Sequence, residues 1–239
     1  MSIELRGVTA GYVKDVAVVR DIDVHVPTKA ISTIIGPNGS GKSTLLRSVV
    51  GQTPHTSGSI LVDGTEVTGV SAHRRTIEHK VAFVPQVANV FGPLTIVENL
   101  EVGGARLARK QRRQRITELL DTYPDLAAKR RVRAESLSGG QRQLLALARA
   151  LMTSPTTLLL DEPSAGLSPA MMDSMFDAVR NTRDAHGVTV LLVEQNAVQS
   201  LEISDFGVVL VAGELAMHGP AQDILSDPSV GRLYLGLVG

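Results

Sequence analysis

The sequence predicts an α/β protein: a mixed, largely parallel core sheet with an antiparallel β subdomain and an inserted helical subdomain. Three observations predict it. Apolar runs at residues 81–84, 157–160, 188–193 and 206–210 alternate with helical patterns, as βα units on a parallel sheet do. Shorter strand patterns at 3–8, 24–26 and 59–62, with turn signals at Asp63-Gly64 and Val211-Ala212-Gly213, suit antiparallel pairing. The stretch 107–123 has a third texture, helical, polar and basic, and reads as a separate lobe set between sheet strands.

Taken in order, the strand at 31–35 runs into a glycine-rich turn and then a helical pattern at 45–50. The basic helix ends at Pro124, and an apolar helix near 144–152 follows. Thr157-Leu158-Leu159-Leu160 is apolar without alternation, as a strand covered on both faces should be. A last strand at 214–217 closes the pattern. There is no internal repeat and no low-complexity segment.

Composition narrows the function classes. The 239 residues are 43% hydrophobic and 20% charged, ordinary for a globular protein and enough for a sizeable core in one large or two modest domains. Net charge is zero, so no global field draws the chain to nucleic acid or anionic membrane. Arg106, Arg109, Lys110, Arg112, Arg113 and Arg115 read as a solvated helix face. Contact with a phosphate backbone is the sharper alternative, but no aromatic side chains interleave, and no nucleic-acid partner is expected. The absence of cysteine excludes disulfides and thiol chemistry and fits a reducing compartment. With no apolar leader at the N-terminus and no run near the ~20 residues of a spanning helix, the expectation is a soluble, cytoplasmic protein.

The most informative segment is Gly36-Pro37-Asn38-Gly39-Ser40-Gly41-Lys42-Ser43-Thr44, between a β-branched run and a helix. Glycines let the backbone curl with its N–H groups inward, and the following helix aims its positive end at the same point. Lys42 can then reach the β- and γ-phosphates of a nucleoside triphosphate, and the Ser43 hydroxyl can ligate Mg²⁺. At the end of the strand 157–160 stand Asp161 and Glu162. A carboxylate at that tip is placed to serve Mg²⁺, and Glu162 to take a proton from the water attacking the γ-phosphate. A second anion site is readable at Leu137-Ser138-Gly139-Gly140-Gln141, where Ser138 is a good helix cap and two glycines allow close backbone approach. The plainer alternative there is a well-capped core helix, with Leu144, Leu145, Leu147, Ala148 and Leu151 as its core face.

The order of these motifs carries a resemblance. A phosphate loop, then Val84-Pro85-Gln86, then Leu-Ser-Gly-Gly-Gln, then Leu-Leu-Leu-Asp-Glu-Pro is the order found in the ATP-binding cassette (ABC) ATPases, and it spans essentially the whole chain. The resemblance implies a P-loop NTPase of ABC type in one domain, with a core from about 1–86 and 155–239 and a helical subdomain from about 87–154. It implies a head-to-tail dimer holding two ATP molecules, each between the phosphate loop of one subunit and Ser138, Gly139, Gly140 and Gln141 of the other. Tyr12 would stack on adenine, with a plain core or rim aromatic as the alternative. Gln86 would touch Mg²⁺ and the attacking water.

Two positions depart from the family pattern. Gln195 stands where a histidine usually contacts the γ-phosphate; an amide can donate a hydrogen bond there but cannot become a cation or shuttle a proton. Its alternative is a capping residue with no part in catalysis. Ser168 stands where the family usually has aspartate. Lys42, Asp161 and Glu162 remain, so hydrolysis is expected to survive.

Val193-Glu194-Gln195-Asn196, Ala165-Gly166-Leu167-Ser168-Pro169, Val90-Phe91, Leu94-Thr95-Ile96-Val97-Glu98-Asn99-Leu100 and Tyr234-Leu235-Gly236 together resemble one subgroup. This is the second ATPase of branched-chain amino-acid importers and of related urea and amide importers; the short C-terminus, with no regulatory domain, fits it. The subgroup implies a second, different ATPase subunit (a homodimer stays open), two integral membrane permease subunits, an extracytoplasmic solute-binding protein and a place on the inner face of the membrane. A lipopolysaccharide-type exporter, or a non-transport ABC protein, is the alternative reading.

Overall fold

The computed structural model describes residues 2–87 and 89–230, so Tyr234-Leu235-Gly236 lie outside the described residues. In chain order the elements are β1 (Ile3–Gly11), β2 (Val19–Val26), β3 (Ile31–Ile35), α1 (Lys42–Val50), β4 (His55–Val62), β5 (Thr65–Glu66), α2 (Ala72–Glu78) and β6 (Val81–Val84). There follow α3 (Ile96–Gly103), α4 (Arg109–Thr122), α5 (Pro124–Ala128), α6 (Gly139–Leu151), β7 (Thr157–Asp161), α7 (Pro169–His186), β8 (Thr189–Val193), α8 (Ala197–Glu202), β9 (Phe206–Val211), β10 (Glu214–Pro220) and α9 (Ala221–Ser226).

Two sheets form. One is antiparallel, ordered β2-β1-β4-β5; the other is ordered β10-β9-β3-β8-β7-β6 and is parallel except for its β10 edge. The sequence explains the difference. Every residue of β3, β7 and β8 is buried, because helices or the other sheet cover both faces. Strand alternation then assigns the faces. Leu158, Leu160, Val190 and Leu192 enter one core with α6 and α7, while Leu159, Leu191, Val193 and Ile34 enter another with α1 and the antiparallel sheet.

Several elements differ from the sequence expectation. Strand β2 begins at Val19 rather than residue 24, because its exposed positions carry Arg20, Asp21, Asp23 and His25 and mask the alternation. The short strand β5 and helices α2 and α3 carried too little periodicity to be read. The basic helix runs Arg109–Thr122, and Pro124, expected as a stop, also opens α5 at its first turn. Asp63-Gly64 and Ala212-Gly213 form the two expected tight turns, all four residues with positive φ.

The arrangement that matters for function is the adjacency of β3, β8 and β7. They are parallel neighbours, so their C-terminal ends open on one rim of the sheet. In open α/β sheets this rim is where ligands bind. The three ends carry the 36–41 loop, Glu194-Gln195 and Asp161-Glu162.

Candidate active site

The loop between β3 and α1 curls because Gly39 and Gly41 have φ of 80° and 94°, a region only glycine occupies without strain. Helix α1 starts at Lys42 with no side-chain cap, leaving its first N–H groups to other acceptors. The Lys42 ammonium donates to the Gly36 and Pro37 carbonyls at 2.7 and 3.1 Å. Burial lowers its pKa, against the pull of the Glu162 and Asp161 charges. Val18, Asn38, Gly39, Gly41, Lys42, Ser43, Thr44 and Glu162 line one cleft of about 190 Å³.

Asp161 is buried at the end of β7. Its Oδ1 accepts from the Ser43 hydroxyl at 2.8 Å and its Oδ2 from Arg47 at 3.3 Å. Ser43 and Arg47 reach it together because they are four residues apart on α1. Tyr12 lies near Arg47 and keeps its side chain exposed to solvent.

Glu162 follows with φ of 48°, an uncommon backbone for a non-glycine residue. Its N–H donates to Val193 O at 2.9 Å, which fixes this turn to the end of β8. Two amides reach its carboxylate: Gln86 Nε2, from beyond β6, and Gln195 Nε2, from beyond β8, both donate to Oε2 at 2.8 Å. The cap of α8 is Asn196, whose side chain accepts from Gln199 N, so the capping alternative for Gln195 gives way to a contact with Glu162.

Residues 138–141 do not line this cleft. Ser138 caps α6 through a capping box with Gln141. Ser138 and Gly139 are exposed, whereas Gly140 is buried against Met171 of α7, and a Cβ there would collide with that methionine. Close packing within the chain thus accounts for Gly140 in part. Ser168 precedes α7 and makes no side-chain cap.

Sequence reading missed three participants. Glu194, 1% exposed, accepts from the backbone N–H and hydroxyl of Ser164; a charged residue directly after the four apolar ones Val190 to Val193 was the available signal. Arg47 carried no signal beyond its place on α1. Arg75, 3% exposed, donates to Ser48 O, Val49 O and Val70 O, closing the C-terminal end of α1.

The geometry can therefore hold a polyanion at the start of α1 beside a carboxylate fixed by two amides. Residues 19–165 match the sequence pattern of the family described as ABC transporter. The chain belongs to that family. It is 41% identical over 229 residues to the Archaeoglobus fulgidus protein named "Probable branched-chain amino acid transport ATP-binding protein LivF", covering 96% of each. It is 40% identical over 226 residues to the high-affinity branched-chain amino acid transport ATP-binding protein BraG of Pseudomonas aeruginosa, covering 94% of this chain and 96% of the relative. Its fold is that of a nucleotide-free ATP-binding cassette from an ABC transporter, with a TM-score of 0.86 at 23% identity over the full length of both. As an ABC transporter cassette the chain binds and hydrolyses ATP to drive transport. No helix among the described residues is long and apolar enough to cross a membrane.

Proposed function

We propose that this ABC ATPase energises an importer for branched-chain amino acids. Two relatives named for that transport, each about 40% identical over nearly the full length, support the solute class. The reading includes one ATPase domain, with a helical subdomain at about 87–154 set into a core at about 1–86 and 155–239. It pairs with a second, different cassette subunit and docks on two membrane permease subunits at the inner membrane face. An extracytoplasmic binding protein delivers the solute.

The observation that carries the catalytic part is the Glu162 carboxylate, buried beside the phosphate loop with both amides on one oxygen. The backbone N–H groups of residues 36–44 and the Lys42 ammonium hold the phosphates of the substrate. Glu162 takes the proton of the attacking water through Oε1, while Gln86 and Gln195 hold Oε2. Tyr12 presents its ring to the adenine. Ser138, Gly139, Gly140 and Gln141 serve the ATP held by the partner cassette, which suits their position away from the cleft.

Mg²⁺ fits the donor set: Ser43 Oγ and Asp161 Oδ1 are hard oxygen ligands already 2.8 Å apart at the start of α1. Gln86 would join them through its amide oxygen, Oε1, while its Nε2 stays on Glu162 Oε2. When bound, the ion would neutralise charge on the phosphate oxygens.

Affinity capture of the chain from detergent-solubilised native membranes, with identification of what co-purifies, tests the assembly. A second cassette ATPase with two distinct membrane proteins is expected. Recovery of only this chain with one kind of membrane subunit would refute the heteromeric assembly, and recovery of nothing membrane-bound would refute the transporter.

A further inference from the structure

We infer that Glu194 is a positioning residue for ATP hydrolysis, tying the loop after Glu162 to Gln195 so that the carboxylate keeps its orientation. The inference rests on the assignment of Glu162 as the proton acceptor. It begins where the sheet ends. Pairing between β7 and β8 stops at Asp161 and Val193, and beyond that point the two loops have no ladder to hold them together.

Three further links replace the ladder. The Glu162 N–H donates to Val193 O at 2.9 Å. Glu194 then accepts from Ser164 twice, its backbone N–H at 2.9 Å on Oε1 and its hydroxyl at 2.8 Å on Oε2. Finally Gln195 donates through its side chain to Glu162 at 2.8 Å. Residues 162–164 and 193–195 form a closed ring, with Glu194 on the side away from the cleft and Glu162 on the side facing it. Glu194 Oε2 also accepts from the Gln195 N–H at 3.2 Å, so the same carboxylate sets the backbone from which the Gln195 amide reaches out.

Glu194 is an expensive residue to place there. It is 1% exposed, and among the described residues no lysine or arginine forms an ion pair with it. An ionised group that deep is tolerated where its hydrogen bonds are made, and these three are spent on the two loops of the hydrolytic centre. Burial, aided by the nearby Glu162 charge, raises its pKa, while the Ser164 and Gln195 donors hold it down. A neutral side chain would fill the space more cheaply but could not accept from Ser164 N, Ser164 Oγ and Gln195 N together.

The test is steady-state ATP hydrolysis by the purified full chain carrying Glu194→Gln, Ser164→Ala, or both. Each single change is expected to lower kcat about ten-fold while KM for ATP stays within about two-fold. The double variant should be no slower than the slower single, since both changes cut the same link. A purely structural role would instead raise KM and lower the thermal midpoint along with kcat. Ser164→Ala is the mild variant, and it decides the matter if Glu194→Gln folds poorly. Glu162→Gln in the same assay separates the two claims. Normal turnover there sinks the proton-acceptor assignment and this inference with it. Slow turnover there, beside unchanged turnover in Glu194→Gln and Ser164→Ala, overturns the role of Glu194 alone.

Discussion

Gln86 and Gln195 approach Glu162 from two different strand ends and donate to the same oxygen, Oε2, each at 2.8 Å. Among the described residues nothing donates to Oε1, which leaves that oxygen for a proton. Replacing Glu162 by Gln preserves shape and removes the acceptor. The expected outcome is turnover reduced by about 10² or more with ATP binding retained. A dimer held closed by unhydrolysed ATP should then appear when the ATP-loaded variant is sized in solution.

Gln195 predicts a particular pH dependence. An amide does not titrate, so Gln195 offers Glu162 the same neutral donor at every pH. Gln195→His places an imidazole with an ordinary pKa of about 6.5 against the carboxylate, whose charge favours the protonated ring and raises that value. Turnover in the variant is expected to be preserved or raised, with a new inflection between pH 6 and 8 that the parent lacks. An inactive, folded variant would show that the site is shaped around glutamine.

Much of this site is legible in the sequence alone. The phosphate loop, the buried strand 157–160 and the acidic pair after it are local patterns, fixed by glycine conformation and two-sided burial. What could not be read are contacts made by topology. Gln86 and Gln195 lie 109 positions apart and meet Glu162 only because β6, β7 and β8 are neighbours in the sheet. Arg75 was illegible for a related reason: it looks like a surface charge until the fold buries it against backbone carbonyls, whereas Glu194 showed only its place at the end of an apolar strand. Strand β2 escaped in part because an antiparallel sheet with one solvated face carries charges at alternate positions.

Lys42 couples stability to function with a definite sign. Its pKa in the folded chain lies below the ordinary lysine value of 10.5, chiefly through burial. Between that lowered value and 10.5 the unfolded chain binds more protons, so wild-type stability rises as pH rises through the window. Lys42→Met lacks this titration. Urea unfolding at neutral pH and at about pH 10 should show the wild type gaining on the variant as pH increases. Millimolar ATP should raise the thermal midpoint of the wild type and leave that of the variant nearly unmoved, and ATP hydrolysis by the variant should be lost.

Arg75 tests how the far end of α1 serves the near end. The helix presents its N-terminus to the phosphates, and Arg75 closes its C-terminus through Ser48 O and Val49 O at 2.7 Å each, with a third bond of 2.9 Å to Val70 O. Burial lowers its pKa to about 10, so it remains a cation at neutral pH, where it also offsets the negative end of the helix. Arg75→Met leaves three carbonyls without this donor and is expected to cost about 2–4 kcal/mol. For a chain of this size that is a fall of roughly 5–15 °C in thermal midpoint. Arg75→Lys keeps the charge but not the planar fork, and should recover only part of the loss. If the cap also holds α1 in register with the 36–41 loop, KM for ATP should rise several-fold in Arg75→Met with kcat at saturation little changed. A loss of stability with KM unmoved would confine Arg75 to holding the fold.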